Sequence, residues 1–257
     1  MKVFHVIFVF LCFCNSSIAS EKLVVASDIW CPYICDDKQS PGYIVELVRD
    51  VLQQNNIDFK FESLPLARAM QFAASNQVDM VLGLTNKHIT EHKLAKSSLS
   101  VGQVSLDYFV ATDNPWRYAS HQELIKYLGK DKKIGIVKGY SYGDFFNALI
   151  KSKPELFYVS HGNSPLEINL NLLNLGRIDI LIGNNNTVSY NAGPESRLNL
   201  VHAGNDDEIG LIYVGFAPYI KPAIIQMLDQ GIVDYRKSGK LKILLDKYGI
   251  TDWQSHM

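Results

Sequence analysis

The sequence predicts an α/β protein made of two similar lobes. Strand-like apolar runs alternate with helix-like segments along the chain, and one strand motif occurs twice. Residues 76–83 (NQVDMVLG) match residues 176–183 (GRIDILIG), with Asp79 and Asp179 in register. Alternating strands and helices are typical of a mainly parallel sheet with helices on its faces. The length of 257 residues allows one large or two small domains.

The first block begins with an apolar strand at residues 23–26. Apolar residues then recur at helical spacing from Ile44 to Leu52, until two asparagines end the pattern. A second strand begins at Phe59, a short helix covers residues 68–74, and a third strand covers residues 78–82. This order is that of a βαβ unit.

The second block repeats the order after a turn signal at residues 113–115. Ser120 with Glu123 forms a capping box that opens a helix, and Ser141 with Asp144 is expected to open the next. Further elements follow in the same alternation: a strand at 134–137, a helix from Ser164 to Gly176, and a strand at 178–182.

Two long strand-like runs, 103–111 and 210–217, flank the second block and are expected to connect the lobes. We therefore assign residues 20–108 and 212–257 to lobe 1, which includes helices at 222–233 and 241–248. Residues 109–211 form lobe 2, with hinge crossings near 109–113 and 207–212. Ligands of open α/β sheets bind beyond the carboxyl ends of the strands. The segments after the repeated strands, 84–86 and 184–186, are accordingly expected to face one cleft.

Composition excludes several classes of function. The hydrophobic fraction of 47% and charged fraction of 20% exclude a disordered or collagenous chain. The 25 basic residues are balanced by 26 acidic ones without a long run of either sign, which argues against a nucleic-acid partner.

The N-terminus resembles a secretory signal peptide. Lys2 is followed by an apolar run at residues 6–13, and the small residues Ser17 and Ala19 precede the expected cut after Ala19. The run is too short for a membrane anchor, which requires about 20 apolar residues. We expect cleavage of residues 1–19 and export to the periplasm.

Export leaves two of the four cysteines, Cys31 and Cys35, in an oxidising compartment. A disulfide between them is the preferred interpretation. The alternatives are a redox site, although its second cysteine would come one residue late, and a metal site, although two cysteines are too few for closed zinc coordination. We expect neither a metal nor a cofactor.

Five segments together resemble the family 3 extracellular solute-binding proteins of the periplasmic amino-acid-binding type. They are GYIVEL at 42–47, the strand and turn at 78–85, GIVKGYS at 135–141, LGRID at 175–179, and SGKL at 238–241 with KYG at 247–249. They occur in the family's order over essentially the whole exported chain. The resemblance implies the two-lobed type II periplasmic-binding-protein fold, with a two-strand hinge that closes on a small polar ligand.

The same resemblance implies a set of ligand-binding residues. Trp30 takes the position of the aromatic wall, Thr85 that of a ligand-binding hydroxyl, and the turn from Gly139 to Tyr142 that of an anion site. The full expected set is Trp30, Tyr33, Arg68, Leu84, Thr85, Thr90, Tyr140, Ser141, Tyr142 and Asn184. The tyrosines could equally be ordinary surface aromatics.

Two members of this set depart from the family pattern. The arginine that grips a ligand carboxylate falls on Thr90, and the acid that grips the ammonium falls on Asn184. Neither can supply the charge that a buried zwitterion needs. An ordinary α-amino acid is therefore not the expected ligand unless Arg68, or else Lys87, His92 or Lys138, substitutes.

The expected function is capture of a small polar ligand by a monomeric binding protein that serves an ABC importer. A sensory binding protein with a membrane partner is the first alternative. The second is a dehydratase-like enzyme, for which the candidate acids and bases are Glu46, Asp28, His88, His92 and His161. None of these forms a recognisable nucleophile and base pair, and we expect no catalytic residue.

Overall fold

The structure is a computed structural model that describes residues 22–129, 131–162, 164–192 and 199–253. The predicted signal peptide lies outside the described residues. No helix in the described ranges is long and apolar enough to cross a membrane.

The first lobe contains a small sheet in the order β2–β1–β3. The strands β1 and β2 and the strands β1 and β3 pair in parallel, and β3 pairs antiparallel with the end of β9. Its elements are β1 (Leu23–Ser27), α1 (Tyr43–Gln54), β2 (Phe59–Ser63), α2 (Leu66–Ala74), β3 (Met80–Leu84), α3 (Asn86–His92) and β4 (Ala95–Lys96).

The second lobe repeats this plan with the strand order β8–β6–β7, also parallel. Its elements are α4 (His121–Leu128), β6 (Ile134–Val137), α5 (Gly143–Ser152), β7 (Phe157–Ser160), α6 (Pro165–Asn174), β8 (Ile180–Gly183) and α7 (Asn185–Asn191). Ser120 caps α4 by accepting a hydrogen bond from the Glu123 N–H, as predicted. The helix α5 instead begins after Tyr142, because the buried Tyr142 side chain turns back to accept a hydrogen bond from the Val137 N–H.

Two long strands join the lobes. They are β5 (Gly102–Ala111) and β9 (Leu200–Phe216), which pair antiparallel along most of their length. The strand β5 already pairs with β8 from Asp107 to Phe109, just before the predicted crossing at 109–113. The chain then returns to the first lobe through β9.

Two C-terminal helices, α8 (Pro222–Lys237) and α9 (Lys240–Lys247), pack beside α1. Leu228, Ile232 and Leu241 join the core of the first lobe. The second lobe has a separate core around Tyr108 and Phe146. Each lobe therefore has its own apolar interior, and the tail closes the first of them.

The repeated sequence motif forms the same local structure in both lobes. Asp79 precedes β3 and accepts a hydrogen bond from the Val24 N–H at 2.6 Å, at the start of β1. Asp179 precedes β8 and accepts one from the Lys133 N–H at 2.8 Å, beside the start of β6. Each carboxylate thus fixes the register between two neighbouring parallel strands, which explains why the motif begins with an acid.

Candidate ligand-binding cleft

A cavity of about 80 Å³ lies between the lobes, at the carboxyl ends of the strands. Its lining is mostly apolar and aromatic, with a few polar side chains from each lobe. The polar and aromatic lining residues are Asp28, Trp30, Thr85, His88, Ser105, Tyr140, Ser141, Tyr142, Asn184 and Thr187. Enclosure by both lobes is the geometry of a ligand site that opens and closes.

The loop after β1 presents the aromatic wall. Trp30 and Tyr33 stack with their ring centroids 4.2 Å apart, and the Trp30 and Ile34 backbones are hydrogen-bonded to each other. A disulfide joins Cys31 to Cys35 across the same turn, with 4.9 Å between the Cα atoms. These bonds leave the indole of Trp30 little freedom to move away from the cavity.

A glycine allows this loop to pack against α1. Gly42 precedes the helix with φ +93, and a Cβ atom there would lie 2.4 Å from the carbonyl oxygen of Tyr33. The N–H of Ile44, in the first turn of α1, donates to that same carbonyl. The aromatic wall is therefore attached to the rigid body of the first lobe.

Asp28 is the carboxylate of the cavity. It follows β1, is only 5% exposed, and accepts a hydrogen bond of 2.6 Å from the Tyr140 hydroxyl of the second lobe. Burial raises the pKa of Asp28 to about 6, although the hydrogen bond from Tyr140 opposes the rise. Because ionisation is costly without a nearby cation, this group would gain from a positively charged neighbour.

His88 lies opposite, in the first turn of α3. Its Nδ1 accepts a hydrogen bond from the Thr85 N–H at 3.3 Å, while Thr85 Oγ1 accepts one from the His88 N–H. Burial lowers the pKa of His88 to about 4, so the ring is neutral at physiological pH. With Nδ1 accepting, the proton of the neutral ring lies on Nε2.

The second lobe contributes hydroxyl groups through the turn between β6 and α5. Tyr140 reaches Asp28, and Tyr142 is buried with its hydroxyl on the Val137 N–H. Burial raises the pKa of both phenols, so both are neutral donors or acceptors. Ser141 lies between them and lines the cavity.

Asn184 connects the lobes at the start of α7. Its Oδ1 accepts hydrogen bonds from the N–H groups of Asn186 and Thr187, which caps the helix. The same oxygen lies 3.1 Å from the Tyr33 hydroxyl of the first lobe, which donates to it, and Asn186 Nδ2 donates to that hydroxyl at 3.0 Å. The neutral amide at this position therefore contacts the protein across the cleft.

Two cavity side chains have buried polar atoms without a partner in the described part of the chain. They are Nε2 of His88 and Oγ1 of Thr187, on residues that are 5% and 2% exposed. The backbone of Gly139 lies near His88 and raises its pKa through hydrogen bonding, although no acceptor meets Nε2 at normal hydrogen-bond distance and angle. Buried polar atoms without partners are uncommon in folded proteins.

Only some of the predicted site residues meet in the cavity. Trp30, Thr85, Tyr140, Ser141, Tyr142 and Asn184 line it, and Tyr33 lies directly behind Trp30. Leu84 is buried in the core of the first lobe instead, together with Val81. Simple alternation would put it on the same side as Leu82, but the pairing of β3 is irregular between Val81 and Leu84, where Gly83 has φ +75. Arg68 and Thr90 are exposed and outside the cavity lining, and the Thr90 hydroxyl donates to the Asn86 carbonyl.

Four polar residues that line the cavity were absent from the expected ligand-binding set: Asp28, His88, Ser105 and Thr187. Asp28 and His88 were considered only as possible catalytic groups. Their position at the ends of β1 and β3 is a usable signal, because the carboxyl ends of both strands were expected to face the cleft. The described residues contain no cluster of three or more side chains that could hold a metal ion.

Comparison with solved structures shows the fold. One similar structure is an arginine-, lysine- and histidine-binding protein from Geobacillus stearothermophilus, with a TM-score of 0.73, 17% identity, and coverage of 92% of this chain and 99% of that one. Another is a histidine kinase sensor domain similar to periplasmic binding proteins, with a TM-score of 0.73, 19% identity, and 88% and 95% coverage. The two-lobed fold predicted from the sequence is thus confirmed.

A third similar structure is an ancestral amino-acid-binding protein described as a precursor of cyclohexadienyl dehydratase. Its TM-score is 0.71 at 15% identity, with 88% of this chain and 94% of that chain covered. No curated protein matches the sequence significantly. The family profile, in contrast, matches residues 23–251, nearly all of the described chain. The chain therefore belongs to the bacterial extracellular solute-binding proteins, family 3.

Proposed function

We propose that the protein captures a small polar ligand between its lobes in the periplasm and delivers it to an ABC importer. The observation that carries this proposal is the enclosed cavity, lined by both lobes and bridged by the hydrogen bonds from Tyr140 to Asp28 and from Tyr33 to Asn184. Each of these bonds joins a residue of one lobe to a residue of the other, so hinge opening would break them. Ligand binding would favour this closed state over an open one.

Hinge bending requires a flexible connection, which we assign to β5 and β9. The strand β5 packs on the first-lobe core near Val104 and enters the second sheet at Asp107. On the return path, Leu211 belongs to the first-lobe core and Ala203 to that of the second lobe. These contacts support lobes close to 20–108 with 212–257, and 109–211, and we propose an outgoing crossing a few residues before 109.

Periplasmic location follows in this proposal from the signal peptide predicted at residues 1–19. The extracellular character of the family supports it. The disulfide between Cys31 and Cys35 is also typical of exported proteins. We further propose that the protein acts as a monomer, with a membrane permease as its partner.

A sensory role and an enzymatic role remain the alternatives. The similar structures include a histidine kinase sensor domain and an amino-acid-binding protein described as a dehydratase precursor, so the same fold occurs in proteins related to each role. Asp28 and His88 are the candidate acid and base that lie in the cavity. Incubation of the protein with each ligand that binds, followed by product analysis, separates the classes, because a binding protein returns its ligand unchanged.

The proposal is tested by combining thermal unfolding with small-angle X-ray scattering over a panel of amino acids, amines, small peptides, polyamines and organic acids. A true ligand raises the melting temperature, since it binds only the folded state. It also lowers the radius of gyration if the ligand-free protein is open. A folded protein that responds to no class in either measurement would contradict the proposal.

Trp30 provides a residue-level test. Replacing Trp30 by Ala removes the aromatic wall and should weaken ligand binding by about 1–3 kcal/mol, measured by isothermal titration calorimetry. Trp30→Phe keeps a ring and should lose less. Tyr158→Ala, on the exposed surface of the second lobe, is the control and should leave affinity unchanged. Unchanged affinity in Trp30→Ala would remove Trp30 from the site.

A further inference from the structure

The charges of the inner cavity determine which ligand it can accept. Among the described residues that line it, Asp28 is the only side chain that carries a charge at neutral pH. His88 is neutral there because burial lowers its pKa to about 4. Lysine and arginine are absent from this lining. The cavity therefore has a negative charge without a positive one.

Asp28 lacks an ion-pair partner in the described structure. Its carboxylate receives hydrogen bonds from Tyr140 and, at the longer distance of 3.5 Å, from Ser27, both of which are neutral. No lysine, arginine or histidine of the described ranges lies within 4.0 Å of it. Buried carboxylates in folded proteins are normally paired with a cation, since an isolated buried charge is costly. A cationic ligand would provide the missing partner.

A ligand carboxylate has no corresponding partner. The family position that would supply arginine is Thr90, which is exposed and bonded to the Asn86 carbonyl. An α-carboxylate is only two bonds from its ammonium and would have to share the inner cavity with Asp28. Like charges at such short range repel strongly where water is excluded. Lys87, Lys138 and Lys151 do not line this cavity but an adjoining groove, which shares His88 and the turn from Tyr140 to Tyr142 with it.

The two unpartnered polar atoms indicate what else the ligand carries. Nε2–H of His88 has no acceptor at normal hydrogen-bond distance and angle, although the Gly139 backbone lies near it, and Oγ1 of Thr187 can donate or accept. They come from opposite lobes, so a ligand that contacts both would hold the lobes together. A neutral hydroxyl or ether oxygen satisfies both atoms without adding charge. Trp30 and Tyr140 line the same cavity, and aromatic rings favour a nearby cation.

From this arrangement we propose that the cavity selects a small organic amine that has a neutral hydrogen-bonding group and no α-carboxylate. The ammonium pairs with Asp28, and the neutral group contacts His88 Nε2 and Thr187 Oγ1. This inference rests on the proposed function, because it specifies the ligand that the two lobes enclose. The cavity volume of about 80 Å³ restricts the ligand to a compact molecule when the lobes are fully closed.

The test uses matched pairs that differ only by the carboxylate. They are tyrosine with tyramine, serine with ethanolamine, and histidine with histamine, each titrated calorimetrically into the purified full chain at pH 7.5. We expect at least one amine to bind tenfold or more tightly than its amino acid. Its affinity should fall as pH decreases below about 6, where Asp28 gains a proton.

Variants assign the effect to individual groups. Asp28→Asn removes the charge and keeps the shape, and should weaken amine binding at least tenfold. Asp113→Asn makes the same charge change at an exposed residue outside the cavity and should leave binding unchanged. Thr187→Val removes the hydroxyl and should weaken binding several-fold. Circular dichroism melting of each variant verifies that it is folded.

The outcomes separate this inference from the function on which it depends. An amino acid that binds as tightly as its amine, or an Asp28→Asn variant that retains full amine affinity, overturns the amine assignment and leaves ligand capture intact. If amino acids or organic acids bind and no amine does, the amine assignment is again overturned while ligand capture stands. Absence of both binding and closure with every compound overturns the assignment and the proposed function together.

Discussion

The two lobes share one architecture but contribute different chemistry to the cleft. The first lobe supplies the carboxyl group of Asp28, whose pKa burial raises to about 6, and the imidazole of His88, whose pKa burial lowers to about 4. The second lobe supplies neutral groups, namely the phenols of Tyr140 and Tyr142 and the side chains of Asn184 and Thr187. One lobe can therefore recognise the charge of a ligand, while the other closes over it with hydrogen bonds that add no charge.

The equivalent helix starts show how this difference arises. In the first lobe, Thr85 caps α3 and exchanges hydrogen bonds with His88, so the cap is completed within one turn. In the second lobe, Asn184 caps α7 and also accepts a hydrogen bond from Tyr33 across the cleft. The first cap organises its own lobe, whereas the second also joins the two lobes.

The largest effect on stability is expected at Asp28, the residue that gives the first lobe its charge in the cleft. Burial raises the pKa of this carboxyl from its ordinary value of about 4 to about 6 in the folded protein. The folded state thus holds the proton more tightly, so ionisation destabilises it. The resulting loss of unfolding free energy is absent below about pH 4, grows between pH 4 and 6, and amounts to about 3 kcal/mol above pH 6.

Asp28→Asn removes this loss and should stabilise the ligand-free protein by up to about 3 kcal/mol at pH 8, and by little at pH 4. Urea unfolding of both proteins at the two pH values measures the difference. A variant that is less stable than the parent at pH 8 would show that Asp28 is solvated in the ligand-free state. The charge difference between the lobes would then apply only to the closed form.

An intermediate effect on stability is expected at the repeated aspartates, where the two lobes have the same local structure. Asp79→Ala and Asp179→Ala each leave a strand N–H without its charged acceptor, and each should cost about 2 kcal/mol of unfolding free energy. Equal losses in urea unfolding would support structural equivalence of the two motifs. A difference of more than about 1 kcal/mol would mean that additional partners, Tyr219 in one lobe and Lys132 in the other, dominate.

The smallest effect tests the two caps. Thr85→Ala and Asn184→Ala should each lower stability by about 1 kcal/mol through loss of helix capping. Only Asn184→Ala should also increase the radius of gyration of the ligand-free protein, because it removes an acceptor that the other lobe uses. Tyr33→Phe keeps both caps and should change only the scattering. If Thr85→Ala opens the lobes equally, the proposed difference between the caps is wrong.

Much of the fold could be predicted from the sequence because it follows local patterns. The alternation of strands and helices and the repeated motif with Asp79 and Asp179 each lie within short segments of chain. The predicted start of α5 at Ser141 was wrong by one residue: the helix begins after Tyr142, whose buried side chain accepts a hydrogen bond from the Val137 N–H. A capping signal does not report such a contact.

The site was less predictable because closure assembles it from distant segments. Asp28 and Tyr140 are 112 positions apart, and no spacing in the sequence relates them. Counting along the family pattern pointed to Thr90 and Asn184, but it did not indicate that one would face solvent and the other would bond to Tyr33. Arg68, which was expected to supply a positive charge, is also exposed.

The approach of the lobes is limited at Gly139, in the turn between β6 and α5. A Cβ atom there would lie 3.0 Å from the Cβ atom of Ala67 at the start of α2, and the residue has φ +89. A side chain at residue 139 would therefore crowd the start of α2 in the other lobe. The absence of a side chain at this glycine lets the two lobes approach as closely as they do, whatever the charge of the ligand between them.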